Sequence, residues 1–323
     1  MEENKFMDNN LVSFIIISYN HAAFIDDCMQ AVLEQTYSDI EILYMDDASS
    51  DHSYKRAEKY QKKLQEKFDR VLFFENKENQ GVVKNLNKLL PMCKGKYIKF
   101  LAADDFMLPN GIRDMVEYLE EHPEAAMVYT NGVYGDEQTH FQKNMPYDEM
   151  KKIYSQTPPS GENLFLKLYE RDFITAPAVM LCKSTYDEIG MYDENIAVED
   201  WDCCIRVSLY GQIGYLDKCT VLYRFLSTSF SHSADPHRRA VMKKNELLLL
   251  EKYKEYVGDN GKERIEKSYN EAVSDACHIG DKEYMVFLKE YREKNHVRVT
   301  MRNRMKYVLY RAGFIRLLEH KRN

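Results

Sequence analysis

From Leu11 to Tyr129 short apolar runs alternate with amphipathic stretches. Leu11-Val12-Ser13-Phe14-Ile15-Ile16-Ile17 is nearly all apolar, as expected of a parallel strand covered on both faces. Phe24, Ile25, Cys28, Met29, Val32 and Leu33 recur at helical spacing, which predicts a helix over roughly 22–35. A second strand is expected over 40–45, a highly charged helix near 53–67 and a strand at Val71-Leu72-Phe73-Phe74. Asn79-Gln80-Gly81 turns into a helix carrying Leu86, Leu89 and Leu90. Strand 97–101 leads into Asp104-Asp105, Pro109-Asn110 starts another helix, and Ala125-Ala126-Met127-Val128-Tyr129 is one more strand. Repeated βα units imply an α/β fold with a parallel sheet between helices.

The rhythm breaks after residue 130. Residues 134–162 are polar and contain Pro146, Pro158, Pro159 and Gly161, so a long loop or loosely folded insertion is expected. Order returns from Ile174 to Leu181, with an amphipathic stretch from Asp200 to Tyr210 and a late strand at Val221-Leu222-Tyr223-Arg224-Phe225. Beyond about 235 the chain reads as helices, including Arg238–Tyr256 and Lys262–His278, without further strand signal. Two parts are expected: residues 1–232, with 134–162 as an insertion, and a helical extension over 233–323.

Charge and composition narrow the partners. A net charge of −7 and a pI near 5.8 argue against nucleic acid. Met1 to Asn10 is polar and unlike a signal peptide, and the longest aliphatic runs, such as Leu247-Leu248-Leu249-Leu250, fall far short of a membrane span. Seven cysteines, with Cys203-Cys204 adjacent and no CxxC pair, favour reduced thiols and a cytoplasmic setting. The C-terminus runs against the overall balance: between Arg292 and Arg322 there are ten Lys or Arg and two Glu. Met301, Met305, Val308, Ala312 and Ile315 form one helical stripe there, with Arg302, Arg304, Lys306, Arg311 and Arg316 beside or away from it. Two readings fit: a peripheral contact of 297–320 with an anionic membrane on its inner face, or a helix whose stripe packs on the protein.

Three acidic clusters carry the candidate chemistry: Asp46-Asp47-Ala48-Ser49-Ser50-Asp51, Asp104-Asp105 and Glu199-Asp200-Trp201-Asp202. The first two stand just past strands, where open α/β sheets bind ligands. Each also has a structural reading, as an Asx turn or helix cap. A diphosphate leaving group builds negative charge as its bond to a sugar breaks. A Mg²⁺ or Mn²⁺ held by Asp104 or Asp105 would stabilise that charge. The third cluster either complements a helix dipole or supplies a base to an acceptor hydroxyl. Trp201, the single tryptophan, suits either an apolar wall for a sugar face or the core. No GxGxxG follows the first strand, and GxxxxGK[ST], GxSxG and HExxH are missing, which argues against dinucleotide, P-loop, hydrolase and zincin chemistry.

Taken together, these pieces resemble the family-2 inverting glycosyltransferases. They are Val12-Ser13-Phe14-Ile15-Ile16-Ile17-Ser18-Tyr19-Asn20, the Asp46–Asp51 cluster, Asn79-Gln80-Gly81 with Lys84-Asn85, Gly95-Lys96-Tyr97 before Asp104-Asp105, and Glu199-Asp200-Trp201-Asp202 with Arg206, preceded by Met191-Tyr192-Asp193-Glu194. They follow the family's order over roughly residues 11–232. The resemblance implies a GT-A-type, mostly parallel sheet flanked by helices, with a C-terminal helical extension. It also implies a nucleotide-sugar donor of the UDP-sugar type and a saccharide or lipid-linked acceptor in surface polysaccharide synthesis. Ser18, Tyr19, Asp46, Asp47, Lys84, Asn85 and Asp104 would hold the donor, and Asp104 with Asp105 would hold Mn²⁺ or Mg²⁺. Asp200 would be the base, supported by Glu199, Trp201 and Asp202. The family's usual Leu-Asp-x-Asp-Asp reads Leu101-Ala102-Ala103-Asp104-Asp105 here, so one carboxylate is replaced. Alternatives are a sugar nucleotidyltransferase, although Asn20-His21-Ala22-Ala23 is no Gly-rich phosphate loop, and a degenerate scaffold motivated by Ala102.

Overall fold

The computed structural model describes residues 10–226 and 235–311. The chain forms two compact units: one runs to Glu194 and resumes at Glu199–Phe225, and the other takes Asn195–Val198 and the chain from Leu226 onwards.

The first unit is built on eight strands: β1 (Val12–Ser18), β2 (Ile40–Asp46), β3 (Arg70–Glu75), β4 (Tyr97–Ala102), β5 (Phe106–Met107), β6 (Ala125–Gly135), β7 (Val179–Cys182) and β8 (Gln212–Arg224). Its helices are α1 (Ile25–Leu33), α2 (Ser53–Lys67), α3 (Val82–Leu89), α4 (Gly111–Glu121), α5 (Phe165–Glu170), α6 (Lys183–Ile189) and α7 (Glu199–Tyr210). The sheet order is β3-β2-β1-β4-β7-β6-β8-β5. β3, β2, β1 and β4 run parallel, and β6 runs parallel to β8. β7 is antiparallel to both β4 and β6, and β5 is antiparallel to β8. Every residue of β1 and β2 is buried, which explains their continuous apolar runs. One face packs Phe14, Ile16, Tyr44 and Leu101 against Ile25, Met29, Ala57 and Leu64 of the helices.

Register positions the site. Ser18 pairs with Asp46 and Ile17 with Ala102, so the carboxyl ends of β1, β2 and β4 lie in line. Connections leave β1 for β2 on one side and reach β4 on the other, which opens a crevice at this edge.

Two sequence boundaries shift. β6 continues to Gly135, beyond the expected end at 129, and overlaps the start of the expected insertion. It does so because residues 131–135 pair with the far half of β8. The insertion itself is anchored: Phe141, Met145, Tyr147 and Met150 pack on Phe106, Leu108, Val133 and Leu222. The late strand begins at Gln212 rather than Val221.

In the second unit the described helices are α8 (Pro236–Val257), α9 (Asp259–Ile279), α10 (Lys282–Asn295) and α11 (Met301–Arg311). Asp235 and Asp281 cap α8 and α10 by accepting the backbone N–H of His237 and Tyr284. Among the described residues no helix is long and apolar enough to cross a membrane.

Candidate active site

The loop after β2 is held by its own carboxylates. Asp46 is fully buried and accepts from Ser18 Oγ (2.6 Å), Ser49 Oγ (2.7 Å) and Ser49 N–H (2.8 Å). Asp47 accepts from Asn76 Nδ2 (2.9 Å), Gln80 N–H (2.8 Å) and Gly81 N–H (2.8 Å), which ties β2 to the turn before α3. Asp51 accepts from Ala22 N–H (2.8 Å) and from both Ser53 N–H and Ser53 Oγ. Burial works against the charge of Asp47 and Asp51, but these donors outweigh it and hold both below the usual carboxylate range. Gly81 adopts φ +82° where its N–H reaches Asp47, a conformation that suits glycine.

Of the remaining donor-side candidates, Lys84 and Asn85 line an opening beside this loop. Tyr19 is 47% exposed. Lys84 lies on an open cleft of about 320 Å³ shared with Lys77, Gln80, Asn85 and Lys88. Asn85 is buried, its Oδ1 accepting from Asn76 Nδ2 at 2.6 Å and its amide beside Asp47.

Asp104 and Asp105, adjacent in sequence, have separate surroundings. Asp105 is 3% exposed and accepts the backbone N–H of Arg224 at 2.7 Å. Burial, and then the charge of Asp104, push its carboxyl well above the usual range. The Asp104 side chain is 18% exposed and lies 3.9 Å from His21 Nδ1. Arg224 locks this corner: fully buried, it pairs with Asp27, donates to the Asp104 carbonyl, and stands over the rings of Phe24 (4.8 Å) and Phe106 (5.1 Å). Neither Asp27 nor Arg224 was evident as a site residue in the sequence, where each sits on an amphipathic or mixed element with other charges, Asp26 on α1 and Asp217 and Lys218 on β8.

The third cluster opens α7. Asp200 and Glu199 are partly buried. Asp200 accepts the Trp201 N–H at 2.8 Å and borders a small hollow with Phe100, Val179, Tyr186 and Tyr192. Burial raises the Asp200 carboxyl above its ordinary range. Glu199 is pushed to about 8, by burial first and the charge of Asp200 second. Asp172, which the sequence did not single out, joins them: burial and then the Asp200 charge raise it as well. The other two candidates turn inward. Trp201 is 7% exposed and donates its indole N–H to the Leu168 carbonyl at 2.6 Å, so it serves the core instead of forming a sugar wall. Asp202 is 1% exposed and pairs with Arg206 at 2.9 Å, one helical turn along, instead of facing an acceptor.

Among the described residues no three His, Cys, Asp or Glu side chains form a complete cation site. Asp104 accepts no hydrogen bond on its carboxylate in any described contact, and the buried His21 Nδ1 makes no hydrogen bond among the described residues. Such a corner fits a divalent ion that takes its other ligands from a bound phosphate, since Mg²⁺ and Mn²⁺ are commonly held by one or two protein groups plus substrate oxygens.

Comparison with known proteins agrees with this architecture. Residues 13–190 match Glycosyl transferase family 2. An uncharacterized glycosyltransferase of Methanocaldococcus jannaschii is 26% identical over 202 residues, 62% of this chain and 65% of that protein. Glycosyltransferase GlyG of Streptococcus pneumoniae is 31% identical over 113 residues, 35% of this chain and 36% of its own length. The chain thus spans less than two thirds of either relative. Among solved structures, S. aureus TarS 1–349 in complex with UDP superposes with a TM-score of 0.58 at 15% identity, covering 94% of this chain and 92% of that one. The mannosyltransferase PcManGT of Pyrobaculum calidifontis, solved with GDP-Man and Mn²⁺, gives 0.56 at 13% identity, covering 94% and 84%. At such identities these two show the shared fold. With the family match covering more than half of its length, this chain belongs to glycosyl transferase family 2 and has the GT-A-type fold.

Proposed function

We propose that the protein is an inverting glycosyltransferase that moves a sugar from a nucleoside-diphosphate donor, UDP-linked, to a saccharide or lipid-linked acceptor in surface polysaccharide synthesis. The observation that carries this reading is the contrast between Asp200 and the donor loops. Asp200 is a desolvated carboxylate whose hydrogen bonds among the described residues come from the backbone N–H groups of Trp201 and of its own residue, and it stands apart in sequence from the donor-side motifs. A carboxylate with raised proton affinity is suited to take a proton near neutral pH. In the reaction the acceptor oxygen attacks the anomeric carbon, its proton passes to Asp200, and the bond to the diphosphate breaks with the electron pair leaving on UDP. Asp104 would hold a Mn²⁺ or Mg²⁺, which when bound would neutralise charge on the departing diphosphate. Ser18, Asp46 and Asp47 shape the nucleoside site, while Lys84 and Asn85 face it from the adjoining cleft.

A panel of UDP- and GDP-sugars with Mn²⁺, read as nucleoside diphosphate released upon acceptor addition, tests the reading. NMR of the product should show the anomeric configuration opposite to the donor's. Formation of a UDP-sugar from UTP and a sugar phosphate would indicate a nucleotidyltransferase, and silence across the panel a scaffold.

The same reading includes contact of residues 297–320 with an anionic membrane, on the cytoplasmic side. Support comes from α11, which sits on α9 through its polar side: Asn303 Nδ2 donates to Asn270 O (2.6 Å) and Lys306 Nζ to Ser274 Oγ (2.6 Å). Its apolar stripe faces outward, with Met301, Met305 and Val308 at 83%, 67% and 62% exposure and Arg302 and Arg304 exposed beside it. Ala312 and Ile315 of the expected stripe lie outside the described residues. Full-length protein should sediment with phosphatidylglycerol vesicles at low salt, and a Met301→Glu/Met305→Glu variant should stay in solution. Equal sedimentation of the two, or none of the wild type, overturns the membrane contact.

A further inference from the structure

The sequence placed no histidine in the site, yet His21 stands at the mouth of the crevice. It follows β1 at the first residues of the turn into α1, while Asp104 follows β4, and these two strands are parallel neighbours in register through Ile17 and Ala102. The two side chains therefore meet across adjacent strand ends. His21 Nδ1 and Asp104 Oδ1 are 3.9 Å apart, too far for a hydrogen bond. Two metal–ligand bonds of about 2.1 Å each span at most about 4.2 Å, so one shared ion can bridge that separation.

The histidine is also preorganised. Asn20 takes a left-handed conformation, φ 56°, at the turn. Its N–H donates to Ser49 Oγ, and its side-chain oxygen accepts from Ser50 N–H. His21 N–H donates to Ser53 Oγ at 2.8 Å, and the His21 carbonyl accepts from Phe24 and Ile25 N–H. Residues on both sides of His21 are thus braced to the Asp46–Asp51 loop, while its Nδ1 makes no hydrogen bond among the described residues. A ring nitrogen without a hydrogen bond among the described residues, beside a carboxylate that accepts none there, is suited to a ligand.

We infer that His21 would be the second protein ligand of the divalent cation, through Nδ1 together with Asp104, with the donor diphosphate supplying further ligands. The inference rests on the nucleotide-sugar reading. His21 would offset the carboxylate lost at Ala102, and an imidazole nitrogen biases the site toward transition-metal cations over Mg²⁺.

Pulsed EPR of the full-length protein with UDP and Mn²⁺ tests this without turnover. Coupling of Mn²⁺ to ³¹P reports the diphosphate, and coupling to ¹⁴N of an imidazole reports a histidine ligand. Both are expected in the wild type. In His21→Gln the ¹⁴N coupling should vanish, the ³¹P coupling should remain, and Mn²⁺ binding to the UDP complex should weaken by about tenfold or more. If ³¹P coupling appears in the wild type without ¹⁴N coupling, the histidine ligand is wrong and the donor reading stands. A ¹⁴N coupling that survives His21→Gln assigns the nitrogen elsewhere and also overturns the inference. Absence of both couplings defeats the donor reading and this inference together. The wild-type spectrum decides independently should His21→Gln fail to fold.

Discussion

The loop Asp46–Asp51 and the start of α7 at Glu199–Asp200 are both short acidic clusters at the edge of one domain, and they handle charge in opposite ways. In the loop, Asp46, Asp47 and Asp51 each accept three hydrogen bonds from nearby backbone and hydroxyl groups. These hold Asp47 and Asp51 ionised below the usual range. At α7 the carboxylates are desolvated with few donors, and Glu199 and Asp200 are raised. Satisfied carboxylates build structure, because their charge is already spent on the chain. Undersolvated ones retain proton affinity that a reaction can use. Acidity in a sequence motif therefore does not distinguish a scaffold from a base. The number of donors around each oxygen does.

The largest effect is expected from Asp200→Asn, which keeps the shape but removes the proton acceptor. Turnover should fall by about 10²–10⁴-fold, while UDP affinity by calorimetry stays within about twofold of wild type. Near-normal turnover would transfer the base role to Glu199 or Asp172 and dissolve the contrast. On the scaffold side, Asp47→Ala strands the N–H groups of Gln80 and Gly81. Urea unfolding should show a loss of about 2–3 kcal/mol, together with weaker UDP binding. An unchanged midpoint would mean the loop does not depend on this carboxylate.

The smallest effect concerns pH and has a different sign in each region. Asp47 is depressed below its unfolded value of 3.8, so its contribution is present above that pH and is lost as pH falls through the folded value. Glu199 is raised from 4.5 to about 8. The folded state therefore holds its proton more tightly than the unfolded chain, and that contribution is full below pH 4.5 and lost as pH rises toward 8. In thermal unfolding followed from pH 4 to 9, Glu199→Gln should flatten the decline on the neutral side and leave the acid side alone. A parallel displacement of the whole curve would show that Glu199 is not held protonated.

Much of the architecture was readable because burial imposes periodicity. The helix expected over 53–67 is α2, Ser53–Lys67, since its apolar positions recur on one face of a charged segment. Strands buried on both faces read as continuous apolar runs and were placed within a residue or two. The antiparallel β7 between β4 and β6 was not readable, because a four-residue apolar run carries no mark of its partner or direction. α5 and α6 also escaped, being six and seven residues long, too short for a helical period to stand out. In the site, sequence found all three acidic clusters and, by resemblance, set Asp200 apart as the base, but it gave no sign that Asp105 and Asp202 are buried while Asp104 and Asp200 are less so. One residue's shift along the chain turns a side chain toward solvent or toward the interior.

By itself, then, the sequence determined the βα order, the sheet edge where the first two acidic clusters stand, and the family, because these follow from local pattern and motif spacing. Tertiary structure alone decided which charges are spent and which are left over. It sank Arg224 beneath Asp104 and Asp105, turned Trp201 and Asp202 inward, faced the apolar stripe of α11 outward, and brought His21 within 3.9 Å of Asp104. The physical reason is that desolvation and hydrogen-bond supply depend on neighbours from distant parts of the chain, so an aspartate is held ionised by donors or left with raised proton affinity according to what the fold sets around it.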